Sequence, residues 1–568
     1  MKKSKNIING SRIIIETLIE QGVTEVFGYP GGQVLGIYDE LFKAEDRIKH
    51  YLTAHEQGAA HAADGYSRVT GKVGVVIATS GPGATNLVTG LATAMLDSVP
   101  MVAITGNVSA HLIGKDSFQE IDITGVTLPI TKHNFFVTNA CEIADTIREA
   151  FKIAKSGRPG PVLVDITKNA QEEECEFENV DVVEPFVIPK ATEEDISKAV
   201  KLINNSKRPY IYVGGGAAGA GMTKQIMALA EKIDAYVGCS LMGLSVMPNS
   251  FDRFLGMQGM HGRYASSVAN RQADLVIGVG VRFSDRATGD PSKYSENAKI
   301  IQLDTDVSEI NKNVTVDVGI IGDISDSFER ILQAVDKKSH TQWKKQVERY
   351  KYEGQLITKE SEKFSSGAIT PKRVFDIINE VKGKQDIIVT DVGQHQMWTA
   401  QFANFESKRR FASSGGLGTM GYGLGAAIGA HIATGDKTIL ITGDGSFGMN
   451  LNELATAVSY NSDVIIVLMN NGALGMVKQW QTLFYEKRYS NTILERKTDF
   501  VKLAEAFGAY GVRTTTMEEF ECAFKEAYTQ GGPSLIEVMI SKDELVLPML
   551  PPGASIEGII TRENEEKQ

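Results

Sequence analysis

The sequence predicts an α/β protein made of three doubly wound parallel-sheet domains. Three blocks along the chain alternate short, apolar, β-rich runs with helical patterns, which is typical of parallel α/β sheets. The chain has 568 residues, more than a single hydrophobic core accommodates. The first and third blocks also repeat one order of strand, glycine turn, Leu-Ala-Thr-Ala helix and strand, which indicates a weak internal duplication. We therefore expect a ligand held between two related domains, at the carboxyl ends of strands.

The domain boundaries follow from these blocks. The first block ends with the apolar run Gly160–Ile166, and the acidic stretch that starts at Gln171 is interpreted as a linker. The second block opens near Asp195 and fades in a charged helical segment around residues 337–363, and the third runs from about Ile369 to Lys542. We predict domains at residues 1–172, 190–340 and 369–545, followed by a C-terminal tail at residues 546–568.

The composition favours an ordinary globular enzyme and argues against several other classes. The chain is 42% hydrophobic and 23% charged, with a formal net charge of −11, which argues against a nucleic-acid or anionic-membrane surface. No apolar run reaches the ~18 residues that span a bilayer, and we see no secretory signal. We expect a cytoplasmic location. The four cysteines are Cys141, Cys175, Cys239 and Cys522. Because they are far apart and form no CxxC pair, the sequence suggests neither a zinc site nor a disulfide framework.

Two side chains with ligand oxygens follow neighbouring strands of the third block. Asp444 follows the run TILIT, and Asn471 follows the run VIIVLM 27 positions later, which is enough for one helical crossover between parallel strands. Two protein ligands are too few for a metal cage, so the pair suits Mg²⁺ bound jointly with a phosphorylated ligand. Gly443 and Gly445 would let the backbone approach phosphates at a helix N-terminus. The alternative is a plain strand–turn–helix in which Asp444 is a helix cap.

The GDG and NN motifs in this arrangement resemble the binding motif for thiamine diphosphate (ThDP). Almost the whole chain is then similar to the acetohydroxyacid synthase (acetolactate synthase) family of catalytic subunits, through the motifs GYPGG, HEQGA, TSGPGATN, SFQE, GRPGPVLVD, VGQHQMW, SGGLGTMGYG, GMVKQWQ and VLPMLPPGA in this order. The resemblance implies that pyruvate is decarboxylated and its two-carbon unit joined to a second 2-oxo acid. Pyruvate as acceptor gives 2-acetolactate and 2-oxobutanoate gives 2-aceto-2-hydroxybutanoate, in branched-chain amino-acid biosynthesis.

The resemblance assigns roles in cofactor binding to two of the three domains. The first would bind the ThDP pyrimidine and the third its diphosphate, with Asp444, Asn471 and the Ala473 carbonyl as Mg²⁺ ligands. Met420 would support the bent shape of the cofactor. The implied ThDP-binding residues are Tyr29, Pro30, Pro82, Asn86, Val392, Gly393, Gln394, His395, Gly418, Met420, Gly443, Gly445 and Ser446.

Glu56 is an isolated acid in a stretch crowded with alanine and glycine. A buried charge is costly unless it is paired or protonated. The resemblance implies that Glu56 donates a proton to the pyrimidine ring nitrogen of ThDP, and an apolar site helps a carboxylic acid keep that proton at neutral pH. The neighbouring His55 and His61 are six positions apart, on different helix faces, which excludes a zincin motif. A helix-capping or salt-bridged glutamate is the alternative.

The second block should bind FAD, because VGVRFSDRATG resembles a motif of the FAD-containing biosynthetic branch. The resemblance implies a structural FAD that is not turned over. Arginine can bind a pyrophosphate bidentately, and the acids can accept hydrogen bonds from ribose or adenine; surface salt bridges are the alternative. The implied FAD contacts are Arg158, Gly214, Gly215, Gly216, Leu241, Met260, His261, Gly280, Arg282, Arg286, Asp304 and Asp323.

Substrate selection is expected to involve five residues, and the resemblance assigns this role to Gln119, Lys168, Arg286, Met476 and Trp480. Arg286 would meet the acceptor carboxylate. Trp480 would narrow the acceptor pocket and favour 2-oxobutanoate, since a rigid indole wall can discriminate one methylene, worth roughly 1–3 kcal/mol. The alternative for Trp480 is a core or interface aromatic.

The resemblance also implies an assembly, a homodimer or homotetramer in which the first and third domains of different subunits share each active site. A separate regulatory subunit is expected, and neither nucleic acid nor membrane is. Rival interpretations are a pyruvate oxidase, a catabolic acetolactate synthase without flavin, or a non-catalytic paralogue. The chain departs from the family pattern at positions other than Glu56, Asp444 and Asn471, namely at Gly36, Lys115, Thr167, Ser284 and Gly425.

Overall fold

The computed structural model describes residues 6–294, 296–363, 367–554 and 558–561. Within these ranges it contains three six-stranded parallel sheets and one two-stranded antiparallel sheet. The three-domain α/β prediction is therefore confirmed. Part of the predicted C-terminal tail, 546–568, lies outside the described residues. None of the helices in the described ranges is both long and apolar enough to cross a membrane.

The N-terminal domain has apolar side chains on both faces of its sheet. Val75 and Ile77 pack into one hydrophobic cluster, whereas Val76 and Ala78 pack into another, as expected when successive side chains of a strand point to opposite faces. The elements are β1 (Asn6–Asn9), α1 (Gly10–Glu20), β2 (Glu25–Tyr29), α2 (Leu35–Lys43), β3 (Lys49–Leu52), α3 (Glu56–Thr70), β4 (Gly74–Ala78), α4 (Pro82–Thr85), α5 (Val88–Asp97), β5 (Met101–Asn107), α6 (Ile123–Thr127), β6 (His133–Val137), α7 (Ile143–Lys155), β7 (Pro161–Thr167), α8 (Lys168–Glu172) and β8 (Glu174–Phe177).

The middle domain begins with a helix capped by Thr192, whose side chain accepts a hydrogen bond from the Asp195 backbone N–H. The elements are α9 (Glu193–Asn205), β9 (Pro209–Val213), α10 (Gly215–Gly219), α11 (Thr223–Lys232), β10 (Tyr236–Cys239), β11 (Phe254–Met257), α12 (Tyr264–Gln272), β12 (Leu275–Val279), α13 (Asp285–Thr288), β13 (Lys299–Asp304), β14 (Val318–Ile321) and α14 (Ile324–Ala334). The charged segment predicted as helical forms α15 (Thr341–Lys363).

The C-terminal domain shares a hydrophobic cluster with the middle domain. Its elements are α16 (Pro371–Val381), β15 (Ile387–Thr390), α17 (Gln394–Phe402), β16 (Phe411–Ala412), α18 (Gly423–Thr434), β17 (Thr438–Gly443), α19 (Asp444–Phe447), α20 (Leu454–Ser459), β18 (Val464–Asn470), α21 (Gly475–Phe484), α22 (Phe500–Phe507), β19 (Tyr510–Thr514), α23 (Met517–Gln530) and β20 (Ser534–Met539). The described residues also contain short 3₁₀ helices at Gly32–Val34, Ala110–Leu112, Leu128–Ile130, Ala140–Glu142, Leu241–Gly243, Val307–Glu309 and Leu451–Glu453.

The first and third sheets have one topology, as two related domains would. Their strand orders are β3-β2-β4-β5-β7-β6 and β16-β15-β17-β18-β20-β19, so each strand of one sheet has a counterpart at the same place in the other. The middle sheet has the order β11-β10-β9-β12-β13-β14, the arrangement of a dinucleotide-binding fold with its switch point between β9 and β12.

Helices α3 and α18 join the N-terminal and C-terminal domains through small residues. A Cβ atom on Gly65 would lie 2.1 Å from the carbonyl oxygen of Ala426, and one on Gly429 would lie 1.9 Å from that of Ala62. The two backbones therefore meet directly. This close approach explains why the stretch around Glu56 is rich in alanine and glycine.

We expect Gly65→Ala to destabilise the protein, because a methyl group cannot fit against the Ala426 carbonyl without moving a helix. Overpacking of this kind costs about 1–3 kcal/mol, and thermal unfolding followed by circular dichroism would register it as a lower Tm. Gly219→Ala is the matched control, since nothing lies within 4 Å of a Cβ atom at that position. Equal Tm values for the two variants would contradict this account of the helix contact.

The sequence suggested no disulfide framework, but the structure contains a disulfide between one pair of cysteines. Cys141 and Cys175 are joined by a disulfide, whereas Cys239 and Cys522 are free. The stretch interpreted as a linker contains β8, which pairs with β1 at the start of the chain and lies beside the turn Ala140–Glu142. This long-range strand pairing brings together two cysteines that are 34 positions apart.

Candidate functional site

Asp444 and Asn471 lie at the same edge of the C-terminal sheet. Strands β17 and β18 are parallel neighbours with Gly443 opposite Met469, so each side chain follows the carboxyl end of its strand, in agreement with their spacing. The Asn471 side-chain amide donates to Gln394 Oε1 at 3.2 Å. The Ala473 N–H donates to Asn471 Oδ1 at 3.0 Å, which fixes the loop that carries both residues.

The environment of Asp444 suits a bound cation. Burial raises the pKa of its carboxyl to about 6, although the backbone N–H groups of Gly445 and Asn471 and the charge of Arg496 oppose the shift. A divalent cation beside the carboxylate would offset the cost of burying this charge. Carboxylate, amide and carbonyl oxygens are the ligand types that Mg²⁺ accepts, so Asp444, Asn471 and Ala473 fit the metal.

A cradle of small residues lies next to this pair. A Cβ atom on Gly443 would lie 3.0 Å from His395 Nδ1, and one on Gly445 would lie 2.7 Å from a Leu474 methyl group and 3.9 Å from the Met420 methyl group. His395 Nε2 is buried and has no hydrogen-bond partner. Burial lowers the pKa of His395 to about 3, so the imidazole is neutral. An unpartnered buried nitrogen beside glycine backbone fits a polar ligand such as ThDP.

The other predicted ThDP residues of this domain border the same cradle. Ser446 Oγ accepts a hydrogen bond from the Gly421 N–H at 3.2 Å, directly after Met420. A Cβ atom on Gly418 would lie 3.9 Å from a methyl group of Val392. Gly393, with φ 155°, precedes α17, whose first residue is Gln394.

Glu56 is the first residue of α3, and its carboxyl accepts a hydrogen bond from a residue of its own domain. The helix is capped by His55, whose ring nitrogen Nδ1 accepts from the Gln57 backbone N–H at 3.0 Å. The side-chain amide of Asn86 donates to Glu56 Oε2 at 2.9 Å, so this partner is neutral. Glu56 Oε1 lies 3.2 Å from the position of a Cβ atom on Gly83, and small residues therefore keep one side of the carboxyl open.

The remaining predicted residues of the N-terminal domain lie at the carboxyl ends of its strands. Tyr29 ends β2 and is 41% exposed, Pro30 follows it, and Pro82 is the first residue of α4. Gln119 has a φ of 61° and packs against the turn that precedes Pro82. Lys168 begins α8 after β7, and its half-exposed ammonium group lies 4.0 Å from Glu172.

The glycines predicted to bind FAD converge at the switch point of the middle sheet. The Gly216 N–H donates to the Gly280 carbonyl at 3.1 Å, and a Cβ atom on Gly214 would lie 2.3 Å from the same oxygen. Gly215 begins α10. A Cβ atom on Gly215 would lie 3.4 Å from Met242, the residue that follows Leu241. Glycines at a switch point allow a dinucleotide to approach the backbone closely.

Three of the charged residues predicted to contact FAD, Arg158, Asp304 and Asp323, have side chains that already bind other groups of the protein. Arg158 donates to Glu309 Oε1 at 2.7 Å, which is the salt bridge that the alternative interpretation expects. Asp323 caps α14, and the Arg282 backbone carbonyl accepts from a side-chain amide at 2.8 Å. Burial raises the pKa of Asp304, at the end of β13, to about 6. FAD binding by these four residues stays a prediction.

The predicted substrate residue Arg286 contacts Met260, and Trp480 packs against the small hydrophobic cluster that contains Met260. Trp480 packs in a cluster with Met260 and lies 5.2 Å from Phe484, measured between ring centroids. The Arg286 guanidinium donates to Met260 Sδ at 3.5 Å and is 64% exposed. The next residue, His261, is buried with an unpartnered Nδ1, and burial lowers its pKa to about 4.

Met476 and Leu241 are partly buried against hydrophobic core residues. Both pack on the hydrophobic cluster that the middle and C-terminal domains share. Met476 lies in the first turn of α21, four residues before Trp480, and therefore on the same helix face.

Sequence reasoning missed two buried acids near the predicted site. Asp391 accepts from the Gly421 N–H at 2.9 Å and from Thr442 Oγ1 at 3.0 Å, so it fixes the loop that carries Met420. Glu453 is fully buried next to Glu56. Its signal in the sequence is the one that singled out Glu56, an isolated acid in the apolar stretch LNELATAV.

Known proteins resemble this chain along most of its length. Three family models match: the N-terminal TPP binding domain of thiamine pyrophosphate enzymes at residues 8–126, their central domain at 196–331 and their C-terminal TPP binding domain at 391–538. The chain is 43% identical to a probable acetolactate synthase large subunit of Methanocaldococcus jannaschii, over 97% of this chain and 95% of that protein. Acetolactate synthase large subunits of Corynebacterium glutamicum and Haemophilus influenzae are 44% and 41% identical, over 96% and 98% of this chain and 89% and 99% of their own lengths.

Proposed function

The chain belongs to the acetolactate synthase large-subunit family of thiamine pyrophosphate enzymes, and on that premise we propose how its residues carry out the reaction. It is a ThDP-dependent enzyme that forms acetolactate, with pyruvate as its substrate. The observation that carries the residue assignment is the pair of sheets with one strand order. One presents Glu56 at its carboxyl edge, and the other presents Asp444 with Asn471.

Asp444, Asn471 and the Ala473 carbonyl hold Mg²⁺, and the adjoining cradle holds the ThDP diphosphate. The buried Asp444 carboxyl, the open glycine positions and the neutral His395 support this assignment. The metal compensates the negative charge of the diphosphate and of Asp444 together. Bound ThDP supplies the electron sink for decarboxylation. Residues of this chain bind the ring system, orient it and exclude water from it.

Glu56 holds the proton that the pyrimidine ring nitrogen receives. The Asn86 amide orients the carboxyl through Oε2, which leaves Oε1 for the ring nitrogen. A neutral partner, rather than a cation, supports this role because a nearby positive charge would favour loss of the proton.

The middle domain binds FAD at the switch point next to Gly214, Gly216 and Gly280. The close backbone contacts there and the unpartnered nitrogen of His261 support a flavin nucleotide. Two molecules of pyruvate give acetolactate and CO₂ without net oxidation, so the flavin has a structural role in this proposal.

Two subunits form each active site in this proposal, within a homodimer or homotetramer. Large apolar side chains near the carboxyl edge of the N-terminal sheet are exposed, with Leu35 at 61% and Phe118 at 82%. A second subunit would cover them. Light scattering after size-exclusion chromatography tests the assembly, and a monomer that forms acetolactate would contradict it. A regulatory subunit remains part of the proposal.

A colorimetric acetolactate assay of the purified protein tests the function. We expect product from pyruvate with ThDP, Mg²⁺ and FAD present, a second product with 2-oxobutanoate, and loss of activity when ThDP or Mg²⁺ is omitted after dialysis against chelator. No acetolactate under complete conditions would refute the function. Consumption of O₂ with pyruvate would favour a pyruvate oxidase instead.

Trp480 sets the preference for the larger acceptor. We expect Trp480→Leu to reduce the preference for 2-oxobutanoate over pyruvate by about tenfold or more, because one methylene in a shaped pocket is worth roughly 10–200-fold. Product ratios with both acceptors present measure this effect. Tyr485→Leu, an exposed position beyond the same helix, is the control, and an equal change in both variants would refute the role.

A further inference from the structure

The backbone just before Glu56 is held by the C-terminal domain of the same chain. The Tyr460 hydroxyl accepts from the Leu52 N–H at 2.7 Å, and its ring lies edge-on to Tyr51 with 4.9 Å between centroids. Glu453 Oε2 accepts from the Ala54 N–H at 3.2 Å. Two hydrogen bonds from one domain therefore fix alternate residues of the segment that leads into Glu56 in another.

Glu453 is built into this contact. It is fully buried, and Thr456 Oγ1 donates to its Oε2 at 2.6 Å. Its Oε1 has no hydrogen-bond partner and lies 2.0 Å from where a Cβ atom on Gly58 would stand. Burial, with a contribution from the Glu56 charge, raises the pKa of Glu453. Burying an acid against the first turn of α3 costs desolvation free energy that an apolar side chain would avoid. The presence of a glutamate here therefore indicates a specific role.

The location of Glu453 links this contact to the predicted metal site. Asp444 begins α19, and Glu453 ends the 3₁₀ turn Leu451–Glu453 that precedes α20. Tyr460 follows α20 directly. A single short segment thus carries the metal-binding carboxyl at one end and the two side chains that hold the Glu56 loop at the other.

We propose that Glu453, together with Tyr460, is a positioning residue that fixes the Glu56 loop for catalysis. The inference rests on the function proposed above. Glu453 acts through the backbone of Ala54. Tyr460 acts through that of Leu52. Both act on the chain that carries Glu56, so the direction of the Glu56 carboxyl depends on the C-terminal domain of its own subunit.

Glu453→Ala and Glu453→Gln test the proposal in two assays. We expect Glu453→Ala to lower kcat roughly ten- to hundredfold with an unchanged KM for pyruvate, as loss of a buried hydrogen bond to a charged group implies. Hydrogen exchange in the cofactor-free protein should accelerate at the amides of Leu52 and Ala54. Glu453→Gln keeps an acceptor oxygen for Ala54 and should restore most of kcat and of the protection.

Further variants separate a positioning role from general destabilisation. Tyr460→Phe removes only the hydroxyl that Leu52 binds, so it should reproduce the faster exchange and a smaller loss of kcat if Glu453→Ala does not fold. Glu40→Gln is the control, a buried carboxyl that pairs with Lys43 on α2, and should change neither assay.

Wild-type kcat in Glu453→Ala, or equal defects in the Ala and Gln variants, would overturn the proposal. Unchanged exchange at Leu52 and Ala54 in both Glu453→Ala and Tyr460→Phe would also overturn it. A wild-type protein that forms no acetolactate refutes the proposed function instead, and the exchange data then still decide whether Glu453 and Tyr460 hold the loop.

Discussion

Glu56→Gln should lower kcat for acetolactate formation by about 10²–10⁴-fold, the range for loss of a general acid–base group. Glutamine has the shape of glutamate and retains an oxygen for the Asn86 amide, which lies 2.9 Å from Glu56 Oε2. It cannot transfer a carboxyl proton. The loss should therefore appear in kcat, with the Tm and the content of FAD unchanged. Steady-state kinetics at saturating ThDP and Mg²⁺ measure it.

A surface glutamate provides the control for Glu56→Gln. Glu45 is exposed in the loop after α2, and Glu45→Gln makes the same chemical change away from the site. It should behave as wild type. Wild-type turnover in Glu56→Gln would refute the proton role, and a lowered Tm in that variant would instead favour the alternative in which Glu56 stabilises the start of α3.

Asp444→Ala should abolish retention of ThDP, with affinity reduced by more than about 100-fold. Changes to residues that merely support metal ligands cost 10–100-fold, and Asp444 is a proposed ligand. Isothermal titration with ThDP at saturating Mg²⁺ measures the affinity directly. Activity should be lost at ordinary ThDP concentrations and recover in part at high ones.

The stability of the cofactor-free protein distinguishes a binding role of Asp444 from a structural one. Burial raises the Asp444 pKa to about 6, above the ordinary value, so ionised Asp444 destabilises the folded cofactor-free chain as pH rises through that value. Asp444→Ala should then leave its Tm at pH 7 unchanged or higher. Asp376→Ala, at an exposed ion pair with Lys372, is the control. A large fall in Tm for Asp444→Ala would show that the residue is a structural cap.

The three sheets and the placement of Asp444 and Asn471 at one sheet edge were predictable because local patterns encode them. Apolar runs of strand length separated by helical patterns predict parallel sheets, and the repeat of strand, turn and helix predicted two related domains. Asp444 and Asn471 could be placed together because parallel neighbours end at one edge. Each of these inferences depends only on local sequence patterns or on two consecutive strands joined by one crossover helix.

The contacts that the sequence did not reveal join elements far apart in the chain. The disulfide of Cys141 and Cys175 depends on the pairing of β8 with β1 at the N-terminus. The ion pair of Arg158 with Glu309 connects two domains, and Glu453 reaches Ala54 across 399 positions. No periodicity records such distances. Glu453 did carry a signal, its isolation among apolar residues. An isolated acid in an apolar run, however, does not predict which distant residue it contacts.

The contact between α3 and α18 has a consequence for the order of events during synthesis. Helix α3 ends at Thr70, but its partner begins at Gly423. At about 5–20 residues per second on the ribosome, the partner emerges roughly 20–70 s later. Until then the alanine and glycine face of α3 and the loop of Glu56 lack their cover. We expect nascent chains released early to be captured by chaperones, and the N-terminal domain to mature only after α18 has been synthesised.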